Sequence, residues 1–196
     1  MAKKIDDLLA DSLVEISRKK SLDSITVTEL VTAAGVNRKT FYNHFDGIEG
    51  LLRYIIREKQ SQTSVDRSSL EKWDENIRRA MHCMKTNAAF TAKIFQSRYL
   101  RDLQVWLRPE MDQSLRDFIR LELELLQKNT GKSYPINETQ MQQLVDLYAP
   151  CVYALIEEWY AQGMSQSIDE FINLVVRILA GGVVACVMYL LDEPME

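Results

Sequence analysis

The sequence predicts an all-α protein with a small N-terminal three-helix unit of the helix-turn-helix type and a larger C-terminal helical bundle. Glycine and proline are scarce, with 7 and 4 copies in 196 residues. Apolar residues recur at three- and four-residue steps, as in the run from Ile5 to Ile16, and this spacing is the period of a helix. No segment shows the alternation typical of a strand.

Composition narrows the class of protein. The formal charge is −4, and 46% of the residues are hydrophobic, which is typical of a soluble globular chain without general affinity for nucleic acid. Cys83, Cys151 and Cys186 are far apart among apolar neighbours, as expected for reduced thiols rather than a disulfide framework or a zinc site. The N-terminus has no apolar core followed by a cleavage site. A cytoplasmic protein is predicted.

One apolar segment could be mistaken for a membrane-spanning helix. The run from Leu174 to Leu191 is interrupted only by Arg177, and 14 residues follow from Ile178 onward. Spanning a bilayer takes roughly 20 apolar residues. We therefore predict a buried core helix and no membrane association.

Capping signals divide the N-terminal part into short helices. Thr26 and Asp46 each precede a glutamate by three residues, and Asn37 directly follows an Ala-Gly-Val run; both patterns mark helix starts. The stretch from Gln60 to Ser69 holds a single apolar residue, so the domain boundary is placed there. Residues 1–60 carry a net charge of +1 and residues 61–196 carry −5.

The rest of the sequence predicts five further helices, and residue signals mark a boundary in two of them. Gly163 ends the fourth, and Ser167 with Glu170 caps the fifth. The predicted spans are Ser68 to about Thr86, Ala88 to about Tyr99, Pro109 to about Asn129, Asn137 to Gln162 with a bend at Pro150, and Ser167 to Leu191.

The segment from Ile25 to Phe45 predicts a helix-turn-helix motif. A helix of about eight residues is followed by a turn containing Gly35 and by a second short helix, the order of elements that defines the motif. Gly35 can adopt the positive φ needed to leave the first helix abruptly. Phe41 and Phe45 are four residues apart and are expected to face a small shared core.

The opposite side of the second helix is predicted to be polar and cationic. Two positive side chains in its first turn, Arg38 and Lys39, are unfavourable beside the helix dipole. A phosphate backbone would supply the anion that offsets them. His44 has a second interpretation, as a satisfied and partly buried histidine beside the two phenylalanines. The exposed side is expected to present Arg38, Lys39, Tyr42 and Asn43, flanked by Thr40 and His44.

The same stretch resembles the DNA-binding domain of the tetracycline-repressor (TetR) family. The resemblance covers roughly residues 5–55 and rests on Thr-Val-Thr-Glu-Leu from Thr26, the turn at Gly35 and Thr-Phe-Tyr-Asn-His-Phe from Thr40. It implies an all-α homodimer in which this domain reads an inverted repeat. A larger C-terminal domain then dimerises and binds a small effector, and the protein is expected to be a repressor.

The resemblance also implies which residues meet DNA. Base-edge contacts are expected from Arg38, Lys39 and Asn43, and phosphate contacts from Thr26 or Thr28, Tyr42 and His44. The predicted DNA-binding set is Thr26, Thr28, Asn37, Arg38, Lys39, Thr40, Tyr42, Asn43 and His44.

Two features leave an alternative function open. Ile48 stands where many members carry a basic residue at the start of the fourth helix, and the C-terminal part is acidic. A co-regulator of the same fold that acts through protein–protein contacts would fit these features.

The C-terminal part predicts a dimer and an effector pocket. Apolar residues cover more than one face of the last helix, which favours burial against a second copy. Aromatic side chains could line a pocket between helices, although core packing explains most of them. The pocket candidates are Phe95, Tyr99, Trp106 and Tyr148.

No motif for catalysis, metal binding or cofactor binding is found. His44 and His82 are the only histidines, and the chain lacks GxGxxG, GxxxxGK and HExxH. We therefore predict a regulator that is not an enzyme and needs no cofactor or metal.

Overall fold

The computed structural model describes residues 4–61 and 69–191, and these residues form helices with no strand among them. The all-α prediction is thus confirmed for the described part of the chain. A single 3-10 turn, Leu22–Ser24, precedes the second helix. The helices are α1 Ile5–Ser17, α2 Val27–Ala34, α3 Arg38–His44, α4 Ile48–Ser61, α5 Leu70–Thr86, α6 Ala88–Phe95, α7 Leu100–Thr130, α8 Glu138–Ala161 and α9 Ile168–Leu190.

Local capping signals place several helix ends as predicted. The backbone N–H of Glu29 donates to Thr26 Oγ1 at 3.2 Å, and the Thr26 N–H donates back to the Glu29 carboxylate at 3.3 Å. Ser167 and Glu170 form the same reciprocal box at the start of α9. Gly35 ends α2 with a φ of +69°, a conformation that favours glycine.

The predicted start of α7 is wrong. The sequence placed it at Pro109, but the helix begins at Leu100 and continues through that proline. A proline inside a helix removes one backbone donor. Burial offsets this loss in the preceding turns, because Leu103 is only 2% exposed and Trp106 packs against the N-terminal core. The other internal proline, Pro150, likewise lies within α8.

The chain divides into two compact units. The first contains Met1–Ser64 and Cys83–Trp106, and the second contains Val65–His82 and Leu107–Glu196. The domain boundary near residue 60 stays a prediction, because the adjoining residues 62–68 lie outside the described part of the chain, as does the predicted helix start at Ser68.

The first unit has one hydrophobic core shared by its helices. Side chains from α1 to α4 supply most of it, and Phe90 of α6 and Leu103 of α7 complete it. Such burial of apolar side chains supplies the main favourable term in folding. The completely buried residues in this core are Leu9, Leu13, Leu22, Leu30, Phe41, Leu51 and Leu52.

The second unit is built around the packing of α8 on α9. One face of α9 is buried, through Ile168, Phe171, Ile172, Val175, Leu179, Val183 and Val187. Elsewhere in this unit, the Trp73 indole N–H donates to the Ser114 carbonyl at 2.9 Å.

By length and composition alone, α9 could cross a membrane. It is a 23-residue helix with an 18-residue window of mean hydropathy 2.2, and 33% of that window is buried within the structure. The helix is longer than the 14-residue run counted from Ile178, since it also includes the turns on the far side of Arg177. The core helix of a soluble protein can share this length and composition.

A glycine is required where α8 and α9 approach each other. A Cβ on Gly182 would overlap the hydroxyl of Tyr148, whereas a Cβ on the neighbouring Gly181 would meet nothing within 4 Å. The hydroxyl also lies 3.5 Å from Cys186 Sγ.

We expect Gly182→Ala to lower the free energy of unfolding by about 1–3 kcal/mol, because overpacking outweighs the gain in helix propensity. Denaturant unfolding of a double-mutant cycle with Tyr148→Phe tests the cause. The cost should shrink when the hydroxyl is absent, and an unchanged cost would contradict the proposed clash.

Candidate nucleic-acid interface

The turn between α2 and α3 sets α3 on the surface of the first unit with one side buried. Asn37 caps α3 by accepting the Thr40 backbone N–H at 2.8 Å. Phe41 is completely buried, Phe45 is 9% exposed, and their ring centres lie 6.0 Å apart. The two phenylalanines thus anchor the inner side of α3, as predicted, and leave the other side to solvent.

The predicted DNA-binding residues lie on the exposed side of this motif. Thr40 is half-buried, and the other eight are exposed: Thr26, Thr28, Asn37, Arg38, Lys39, Tyr42, Asn43 and His44. We refer to Arg38, Lys39, Tyr42 and Asn43 as the reading face.

The two cations of the reading face have no carboxylate partner among the residues that the structure describes. The Arg38 guanidinium lies 5.6 Å from the centre of the Tyr42 ring, and its Nη2 is 3.5 Å from the Tyr42 hydroxyl. Within the described residues, neither Arg38 nor Lys39 forms an ion pair with a carboxylate. A cation stacked on an exposed aromatic ring is well placed to receive an anion, because little desolvation or rearrangement is needed.

Two members of the predicted set serve as helix caps. Thr26 belongs to the capping box of α2, and Asn37 Oδ1 accepts from both the backbone N–H and the hydroxyl of Thr40. These contacts hold the N-termini of α2 and α3 in place. Their contact with DNA stays a prediction.

His44 has a polar partner within the fold, as its second interpretation expected, although the residue as a whole is exposed. Its side chain is 35% exposed, and its Nδ1 lies 2.6 Å from Asp6 Oδ1 in the first turn of α1. The next residue, Asp7, accepts a hydrogen bond from the Tyr54 hydroxyl of α4 at 2.8 Å. Burial, followed by this hydrogen bond, raises the pKa of Tyr54 above its usual range.

Sequence reasoning missed both aspartates. The only signal was a pair of acidic residues at the start of α1, which is common because carboxylates favour the positive end of the helix dipole. Their partners on α3 and α4 emerge only in the folded unit.

Ile48, the position that lacks the expected basic side chain, is 7% exposed and belongs to the core of the first unit. Its apolar character is therefore explained by packing.

Comparison with known proteins agrees with this geometry. Residues 11–55 match the family model described as bacterial regulatory proteins, tetR family. Residues 71–181, more than half of the chain, match a second model of that family, described as a transcriptional regulator C-terminal region. The chain belongs to the TetR family. It is therefore a transcriptional regulator with a helix-turn-helix DNA-binding domain, and its family consists of transcription factors rather than enzymes.

A relative and a solved structure, which both carry the name DhaS, are called activators. The HTH-type dhaKLM operon transcriptional activator DhaS of Lactococcus lactis subsp. lactis (strain IL1403) is 25% identical over 88 residues. That match covers 45% of this chain and 47% of the relative, so it spans about half of the relative's length. A solved structure named dihydroxyacetone kinase operon activator DhaS has a TM-score of 0.64 at 17% identity, covering 92% of this chain and 97% of that one. This likeness shows a shared TetR fold.

The four aromatic residues predicted to line an effector pocket are divided between the two units. Phe95, Tyr99 and Trp106 belong to the first unit, and Tyr148 belongs to the second. Tyr99 and Trp106 pack against the core around the DNA-reading helices. Tyr148 is buried, with 9% of its surface exposed.

Trp106 also contacts α4 through two cations. The guanidinium groups of Arg53 and Arg57 lie 5.8 and 5.3 Å from the centre of its indole ring. Such contacts stabilise the packing of an arginine-bearing helix on an aromatic side chain.

The second unit contains an open groove of about 360 Å³ where α7 ends and α8 begins. Arg120, Glu124, Tyr134, Asn137 and Met141 are among its lining residues, and none of the four predicted aromatic residues lines it. No cluster of three or more potential metal ligands occurs in residues 4–61 and 69–191. The location of an effector pocket stays a prediction.

Proposed function

We propose that this TetR-family chain acts in the cytoplasm as a homodimeric repressor that binds a palindromic operator through α3. The observation that carries the proposal is the reading face, which offers unpaired Arg38 and Lys39 beside the exposed hydroxyl of Tyr42. Arginine and lysine recognise both phosphate oxygens and guanine edges. A two-fold dimer would place two such faces in successive major grooves.

The proposed dimer uses α8 and α9. Leu147 on α8 is 53% exposed, and Leu174 and Ile178 on α9 are 46% and 49% exposed. Leu174 and Ile178 are four residues apart and therefore share one face of α9. Covering this apolar face with the same face of a second copy would give the symmetric interface usual for homodimers.

Regulation is proposed to come from a small effector bound in the C-terminal domain. Such an effector changes operator affinity only if it binds the DNA-competent and DNA-incompetent arrangements with different affinities. Titration of the operator complex with candidate metabolites tests this point. An effector should shift the operator affinity, and a panel without any effect would count against the regulatory proposal.

Selection of bound duplexes from a random-sequence DNA library tests operator binding. We expect an inverted repeat with half-sites about one helical turn apart. Binding of the selected duplex should survive competitor DNA and weaken steeply with salt. An intact dimer that retains no duplex would favour the alternative function, a co-regulator acting through protein–protein contacts.

The second candidate function is activation of transcription instead of repression. It is favoured by the name of the relative DhaS, which is called a transcriptional activator. A reporter placed downstream of the selected operator separates the two directions. Deleting the gene for this chain should raise reporter expression if it represses and lower it if it activates.

A further inference from the structure

A carboxylate of α1 lies against the last residue of α3. Asp6 Oδ1 is buried and lies 2.6 Å from Nδ1 of the His44 ring, and it accepts no hydrogen bond of regular geometry from a described residue. Buried polar oxygens need a donor, and a carboxylate oxygen this close to an unprotonated ring nitrogen would repel it. The proton of the neutral His44 ring is therefore expected on Nδ1, between the two residues.

This arrangement determines what the other ring nitrogen can do. A neutral imidazole with its proton on Nδ1 presents a lone pair at Nε2, so Nε2 accepts hydrogen bonds and cannot donate them. Phosphate oxygens of DNA are acceptors, so they repel that lone pair. The protonated ring carries an N–H at both nitrogens. Only this protonated form can donate hydrogen bonds to Asp6 and to a phosphate at the same time.

We propose that Asp6 is a positioning residue for operator binding, because it holds a proton on Nδ1 of His44 and so lets Nε2 donate to a DNA phosphate only when the ring is protonated. The proposal rests on the DNA binding through α3 proposed above. Operator binding then takes up a proton at His44. By linkage, operator affinity rises as the pH falls.

Other charged groups lie on the elements around the pair. On α1, Asp7 is bonded to the Tyr54 hydroxyl of α4, and Glu58 of α4 acts on the same phenol. On α2, Glu29 pairs with Lys20. Asp46 lies two residues beyond His44, and the cations Arg38 and Lys39 begin the helix that His44 ends. Asp6 is thus the group that contacts the ring.

The first test needs no DNA. Long-range ¹H–¹⁵N spectra of the full-length chain at pH 8 report which ring nitrogen carries the proton. The chain has 2 histidines, so His82→Gln assigns the signals of His44. We expect the Nδ1–H form in the wild type and the Nε2–H form in Asp6→Asn, whose amide can donate to Nδ1. A wild-type ring protonated mainly on Nε2 would overturn the proposal.

The second test measures the affinity for the selected operator duplex by fluorescence anisotropy at pH 6, 7 and 8 and constant ionic strength. We expect wild-type affinity to fall about tenfold between pH 6 and pH 8, and by less than about twofold in His44→Gln and Asp6→Asn. The matched control is Asp7→Asn, which removes the neighbouring negative charge, keeps an amide oxygen that can accept from the Tyr54 hydroxyl, and should keep the wild-type pH dependence.

Each result of the second test bears on one proposal. An affinity loss in Asp6→Asn that is equal at every pH would assign Asp6 a purely structural role and overturn the inference. Full pH dependence in His44→Gln would overturn it as well. Specific binding that is independent of pH refutes the inference alone, whereas no specific binding by the wild type refutes the proposed function.

Discussion

Replacing Arg38 with alanine is expected to lower operator affinity by about 10- to 100-fold without changing the stability of the chain. Arg38 is exposed, and among the described residues its side chain interacts with the ring and the hydroxyl of Tyr42. Losing this side chain therefore removes a DNA contact and little folding energy. Anisotropy with the selected operator at fixed salt gives the affinity, and denaturant unfolding gives the stability.

The matched control is Arg18→Ala, which removes the same charge from the same unit. Arg18 is exposed at the end of α1 and pairs with Glu15 at 3.1 Å, an exposed ion pair that contributes little stability. We expect a loss of less than about threefold in operator affinity, from the long-range charge alone. Equal effects of the two replacements would indicate general electrostatic attraction instead of a specific contact by Arg38.

Tyr42→Phe separates the hydroxyl from the ring. Tyr42 is 47% exposed, so its hydroxyl is open to a phosphate, and losing one such hydrogen bond should lower affinity by about three- to tenfold. Wild-type binding by both Arg38→Ala and Tyr42→Phe would contradict the choice of the reading face.

Placing a charge on the exposed face of α9 is expected to give a larger effect. Ile178→Glu should convert the proposed dimer to monomers, because two buried carboxylates would meet across a symmetric interface. Operator affinity should fall by at least about 100-fold, since each monomer holds a single half-site. Sedimentation gives the mass of the chain in solution, and anisotropy gives the affinity.

The control for this change is Leu125→Glu on α7. Leu125 is 43% exposed, close to the 49% of Ile178, and it belongs to the same unit. The control should remain dimeric and bind the operator as the wild type does. A dimer that survives Ile178→Glu would place the interface elsewhere, and a wild type that is monomeric would refute the proposed dimer.

Features that depend on residues close in sequence could be predicted from the sequence. Thr26 with Glu29, Gly35 and Ser167 with Glu170 mark helix ends because a cap bonds to backbone groups within three or four residues. The four-residue spacing of Phe41 and Phe45 likewise identified the buried side of α3 and, with it, the exposed reading face. The family resemblance rested on the same local run of residues.

Features that depend on distant residues could not be read in this way. The continuation of α7 through Pro109 follows from the burial of Leu103 in a core built by α1 to α4, and propensity at the proline favours the opposite outcome. The aromatic residues after residue 87 showed no local sign of whether they face a core or a cavity. Tyr99 and Trp106 proved to pack around the DNA-reading helices.

Helix type, the helix ends marked by caps and the buried side of α3 were thus decided by the sequence itself, since backbone capping and helical periodicity act over a few residues. The contact of Asp6 with His44, the approach of Tyr148 to Gly182 and the packing of Trp106 on α4 were decided by tertiary structure. These contacts join residues from different helices, and the sequence pattern does not specify how far apart two helices lie. The shape and packing of the folded core set that distance.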